Sequence, residues 1–233
     1  MLYYANSILL FFSAEVNASI VTFFATLIVA CFSIHQNYLT RRDNKKNITR
    51  VDLLEKKLVL EIKLNEFYIP LRHHLESSKT LWKILKKGKP VNFRTLTYLL
   101  DPKQRYGETR VQVKLDKNDK SLINAIIKAG KKIEKLVHEK SYLIGDDNEF
   151  TSDYIPRQAF AHLPYEKDMT LLSLLTSHLV TFRMAFSGDL SGQKEKFEGF
   201  VFPNEINIRI KEKIDELERK IVSYDSEILK LNK

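Results

Sequence analysis

VNASIVTFFATLIVACFSI, residues 16–34, contains no charged side chain, and the first Lys or Arg of the chain comes only at Arg41, followed by Arg42, Lys45, Lys46 and Arg50. At about 1.5 Å of rise per residue, such a run crosses most of a hydrocarbon core about 30 Å thick, and the apolar residues before it complete the crossing. The run therefore predicts a transmembrane helix. Basic residues beside a span stay on the cytoplasmic side, so the expected topology is a single pass with the N-terminus outside and the C-terminal part in the cytoplasm. A cleavable signal peptide needs a basic start, which Met1 to Ala14 lacks, so the segment reads as an uncleaved anchor. Tyr3 and Tyr4 at the outer end and Tyr38 at the inner end suit interfacial positions. Ile8 to Phe12 is too short to cross alone; it either extends the same helix or lies on the outer surface.

The polarity of the span is ordered. With about 100° of turn per residue, Glu15, Ser19, Thr22, Thr26, Ala30 and Ser33 share one helix face, while Phe23, Phe24, Leu27, Ile28 and Phe32 fill much of the remainder. Thr22, Thr26 and Ala30 also form a small-xxx-small register that lets helix backbones approach closely. The plainer alternative is that each hydroxyl bonds a carbonyl of its own helix. Six such positions in register, an acid among them, favour self-association and a pore-lining or helix-interface face. One span cannot enclose water, so a pore would need a ring of copies.

All 38 Lys and Arg and all but one of the 29 acids lie beyond the span, leaving that part with an excess of about ten positive charges. Such a surface faces anionic material, either nucleic acid or the inner leaflet. The single cysteine, Cys31, lies within the span, which excludes an internal disulfide. Seven Gly and six Pro in 233 residues favour helices over a fold of many turns. The expected organisation is residues 1–34 as N-terminal segment and span, 35–50 as a basic juxtamembrane linker, and 51–233 as one cytosolic helical bundle, an all-α fold.

Within the bundle, Val51, Leu54, Leu58, Ile62 and Tyr68 mark a first amphipathic helix that Pro70 interrupts or kinks. Leu71, Leu75, Trp82 and Leu85 carry a second section, closed by Gly88 and Pro90. A short helix is expected at Thr95 to Leu100 and an extended piece at Arg110 to Leu115. A helix from Asp119 or Ser121 carries Leu122, Ile123, Ile126, Ile127, Ile133, Leu136 and Val137 on one stripe, with Lys128, Lys131, Lys132, Lys135 and Lys140 elsewhere. The loop Gly145 to Glu149 is acidic but lacks the alternating pattern of a calcium loop, so it reads as a turn. Asp168 to Phe186 is apolar on nearly every side and predicts the central helix, ended by Gly188 in the left-handed conformation. The last helix, from Pro203-Asn204-Glu205 onward, spaces Ile210, Ile214, Leu217, Ile221, Tyr224, Ile228 and Leu231 as heptads, for packing either on its own bundle or in an intermolecular coiled coil.

One pair of residues has the chemistry for RNA cleavage. In RQAFAH, residues 157–162, the guanidinium of Arg157 can grip a phosphate and the imidazole of His162 can exchange protons with a ribose hydroxyl or a leaving oxygen, without a metal. The alternative is that Arg157 pairs with an acid and His162 fills a seam. His73 and His74 are adjacent and cannot face one metal from a regular helix, and His178 reads as a satisfied core histidine. Neither a metal cluster nor a phosphate-binding glycine loop is visible, so no cofactor is expected.

The RQAFAH pair, followed by the apolar MTLLSLLTSHLVTF, resembles the R-x4–6-H motif of the HEPN superfamily, whose members are helical bundles that often dimerise into a composite RNase site. Gln158 stands where that motif commonly carries Asn, Asp or His, and Pro156 and Pro164 confine the pair to a short turn or helix start. The order of a single span, a basic cytosolic bundle and one late R-x4-H resembles the membrane accessory proteins of type VI-B CRISPR systems. That resemblance implies a homo-oligomeric ring in the lipid bilayer, forming a pore in antiviral defence alongside an RNA-guided RNase effector or its RNA. A membrane-tethered HEPN ribonuclease using Arg157 and His162, and a membrane-anchored scaffold, are the other two readings.

Overall fold

The computed structural model describes residues 2–106, 110–145, 150, 170–197 and 200–231, with backbone alone over 2–21. Its first element is a helix of 62 residues, α1 (Leu2–Lys63). No Gly or Pro occurs before Pro70, so nothing in the sequence breaks the intrahelical ladder. The basic stretch 35–50 accordingly continues the helix, with Thr40 and Thr49 donating their hydroxyls to the carbonyls of Gln36 and Lys45.

Pro70 acts by a different route from a simple break. Residues Leu64–Tyr68 widen into a single π turn, in which the Ile69 N–H reaches back to the Leu64 carbonyl, and α2 (Ile69–Lys86) then starts with Pro70 in its first turn. The helix does not stop there: Tyr68 and Ile69 keep helical dihedrals and the helix runs unbroken to Lys86, so the widened turn accommodates the proline that follows it. The wider turn carries Phe67 and Tyr68 inside, edge to face at 5.1 Å, with the Tyr68 ring also 5.8 Å from that of Phe150. Gly88, at φ 78°, turns the chain out of α2 as expected.

A short helix α3 (Thr95–Leu100) follows, then two paired residues on each side of an antiparallel ladder, β1 (Arg105–Tyr106) and β2 (Val111–Gln112), with Tyr106 opposite Val111. The expected extended piece at 110–115 is thus cut to Val111–Gln112. Helix α4 (Lys117–Lys140) begins earlier than its hydrophobic stripe indicates. Asp116 accepts a hydrogen bond from the Asp119 N–H at 2.7 Å and Asp119 accepts one from the Asp116 N–H, a capping box that fixes the start at Lys117. Helix α5 (Leu171–Ser187) is capped by Thr170, whose hydroxyl oxygen accepts from the Ser173 N–H, and it ends at Gly188 with φ 92°. Helix α6 (Glu205–Leu231) closes the described chain.

The chain divides into two compact units, residues 57–223 and residues 1–56 together with 224–233. In the larger unit α2 packs on α4, and α4 on α5. Its main core gathers Leu71 and Leu75 of α2, Ile133 of α4, Leu171, Leu175 and Leu179 of α5, and Ile206, Ile210, Ile214 and Leu217 of α6. Burying each such side chain contributes roughly 1.5–3 kcal/mol. A second cluster joins Leu85, Leu96, Leu100, Ile123, Ile126, Phe182 and Ala185. The heptad positions from Ile210 to Ile221 therefore pack on their own bundle. In the smaller unit, Leu53 and Ile228 are buried, and Lys56 lies within electrostatic reach of Tyr224 and Glu227, which sets the end of α6 beside α1.

Candidate membrane-spanning helix

In the described part of this candidate span, Phe23, Phe24, Leu27, Ile28, Val29, Phe32 and Ile34 all stand exposed, from 49% for Leu27 to 69% for Ile34. Within α1 lies an 18-residue window of mean hydropathy 1.2, none of it buried. A core helix of comparable apolarity would have its side chains covered, as α5 does with Leu171, Leu174 and Leu175. By length and composition α1 is able to cross a membrane.

Thr22, Thr26, Ala30 and Ser33 are exposed on their shared face. The Thr26 hydroxyl donates to the Thr22 carbonyl at 2.8 Å, so at this position the local backbone bond is made. The bond leaves a lone pair on the hydroxyl oxygen free to accept from a neighbouring helix or water. The Glu15 and Ser19 backbones belong to α1; their side chains lie outside the described residues, as do Arg157, His162 and most of the acidic loop 146–149. Cys31 is a free, exposed thiol.

No group of three or more metal-ligating side chains occurs among the described residues. The His73 and His74 rings are neighbours at 5.7 Å, and partial burial, with Lys132 and His73 adding repulsion, holds the His74 imidazole below its ordinary value. His178 departs from the expected satisfied core histidine. It is buried among Phe182, Phe200 and Phe202, its Nδ1 has no hydrogen-bond partner, and burial pushes its pKa down to about 4.

A surface absent from the sequence expectations lies at the end of α2. Trp82, Lys83, Lys86, Lys87, Lys89 and Val91 line a shallow depression of about 420 Å³. The signal in the sequence was four lysines within seven residues, beside the chain's one tryptophan and around the Gly88-Pro90 turn. Comparison with protein-family models, with curated proteins and with solved structures finds no match to this chain.

Proposed function

We propose that the chain is a single-pass membrane protein whose copies assemble through α1, and that it serves as a pore-forming effector of bacterial antiviral defence. The exposed apolar belt from Phe23 to Ile34 is the observation that carries this reading. Left in water, these seven side chains would forgo on the order of 10 kcal/mol of transfer free energy, so a bilayer or a ring of identical helices is the medium that suits them. The exposed Arg41, Arg42, Lys45 and Arg50 on the C-terminal side of the belt support a cytoplasmic location for the bundle. The defence role is supported by the architectural resemblance to type VI-B accessory proteins. The ribonuclease reading rests on Arg157 and His162, and a scaffold needs only the anchor.

Purified chain reconstituted in dye-loaded vesicles or expressed in cells under a potential-sensitive dye tests the pore. Conduction on activation, lost when Thr22 and Thr26 are both replaced by Leu, is the expected result. A variant that conducts unchanged removes the Thr22–Thr26 face as the lining, and RNA degradation lost in His162→Ala without any conduction would favour the ribonuclease.

A further inference from the structure

We propose that the C-terminal half of α2 binds single-stranded nucleic acid, with Lys79, Lys83, Lys86 and Lys87 holding phosphates while one base enters the depression lined by Trp82 and Val91. The inference goes beyond the membrane reading and does not depend on it, and it concerns binding, not cleavage at Arg157 and His162.

Lys79, Lys83 and Lys86 fall at i, i+4 and i+7 on one side of α2, separated by about 6 and about 4.5 Å of rise, and Lys87 follows just past the helix end. Lys89 is paired with Asp119 at 2.8 Å, whereas these four have no acidic partner among the described residues. A solvated helix end accounts for part of the row, because lysines in the last turn favour the negative end of the helix dipole. That explanation leaves out Lys79, two turns back, and Lys87, beyond α2; both are exposed. The row is an unneutralised cationic track along which successive phosphates of a strand can sit.

The lining selects among anionic partners. Every side chain around the depression is either a hydrogen-bond donor, as the lysine ammonium groups and the Trp82 indole N–H are, or apolar, as Val91 is. A phosphodiester backbone presents acceptors and matches such a lining, whereas a peptide strand would bring N–H groups that find no acceptor side chain there. A lipid surface engages what projects from a protein, but Trp82 lines a concavity, is only 38% exposed, and has the Lys86 ammonium 5.0 Å from its ring centroid. A base fits this recess, stacking on the exposed part of the indole with the aliphatic Val91 beside it. Lys86 then serves both the ring and a phosphate. Gly88 at φ 78° makes the turn that sets Val91 in the same depression as Trp82, and a Cβ there would meet no atom, so the position is kept for its backbone conformation.

Because Trp82 is the only tryptophan, its fluorescence reports on this recess alone. The full chain in mild detergent is titrated with a short labelled oligouridylate, binding being read by anisotropy and Trp82 emission followed alongside. The expected result is binding with quenched emission, and an affinity that falls about fiftyfold between about 50 and about 200 mM salt, as four phosphate contacts on a single strand require. The combined Lys79→Gln, Lys83→Gln, Lys87→Gln variant reduces that salt effect to about threefold, the value for one contact, with its circular dichroism unchanged. Trp82→Leu keeps the salt dependence and weakens binding about tenfold. Inorganic polyphosphate, which has no bases, displaces the strand and leaves Trp82 unquenched.

Oligouridylate that binds with Trp82 emission unchanged overturns the inference. So does a loss of binding of the same size in the combined Lys128→Gln, Lys131→Gln, Lys132→Gln variant, at three exposed lysines of α4, because the general positive charge would then be what attracts the strand. Trp82 emission that responds to polyglutamate, or to phosphatidylserine added to the micelle, and not to oligouridylate overturns it in favour of an acidic protein or a lipid surface. Absence of binding overturns it outright, and none of these outcomes bears on the span.

Discussion

The Arg183 guanidinium of α5 donates through one nitrogen to both carboxylate oxygens of Glu134 on α4, at 2.7 Å each. Both side chains are mostly buried, so the pair ties two core helices where solvent screens it little. Arg183→Ala leaves the Glu134 charge half-enclosed and is expected to cost about 2 kcal/mol. A double-mutant cycle with Glu134→Ala, read as unfolding midpoints in detergent, should show clear coupling; additive losses would mean that the contact contributes nothing.

One turn N-terminal to Glu134, Gly130 of α4 packs against Leu179 of α5. A Cβ built there would stand 3.2 Å from Leu179 Cδ2. Gly130→Ala gains about 1 kcal/mol of helix propensity and spends much of it moving the Leu179 methyl, so a change near zero is expected. Gly130→Leu cannot be accommodated so, and should lower stability by about 1–3 kcal/mol through overpacking. Equal effects of the two substitutions would show that the helices are not held at this spacing.

His178 makes the bundle acid-sensitive. Its folded pKa is about 4, below the ordinary 6.5, so the unfolded chain binds a proton that the folded chain refuses. The His178 contribution is fully present above pH 6.5 and is lost as the pH falls from 6.5 toward 4, reaching about 2 kcal/mol at pH 5. His178→Phe should flatten that part of the stability profile. A variant as acid-sensitive as the parent would place the titrating group elsewhere.

The Asp116–Asp119 box also gives an ordered prediction. Asp116→Ala removes one cap and is expected to cost about 1 kcal/mol. Asp119→Ala removes the return bond to the Asp116 N–H and the partner of Lys89 together, so it should cost more. Thermal melting of both variants checks the order, and a more stable Asp119→Ala would contradict it.

Much of this architecture was legible because it follows from simple patterns. The heptad from Ile210 gives α6, the continuous apolar run at 171–186 gives α5, and Gly188 ends it in the conformation that glycine favours. The parts that escaped depend on local geometry. Pro70 is absorbed by a π turn because the preceding residues can widen one turn, a choice that periodicity does not reveal. The start of α4 lies in two aspartates three residues apart, outside the apolar stripe. Lys83, Lys86, Lys87 and Trp82 read as an ordinary helix end in sequence, and only the turn at Gly88 sets Val91 among them. Of the face proposed for self-association, Thr22, Thr26, Ala30 and Ser33 are seen exposed in register, whereas the Arg157–His162 pair falls outside the described residues.

The mass of the complex released from washed membranes by mild detergent tests the central claim most directly. Each copy contributes 27.3 kDa. The account predicts that the chain stays with the alkaline-washed membrane and emerges as one closed assembly of several copies, falling to single copies when Thr22 and Thr26 are both replaced by Leu. A wild-type mass of one copy, or a chain that washes off the membrane, would contradict it.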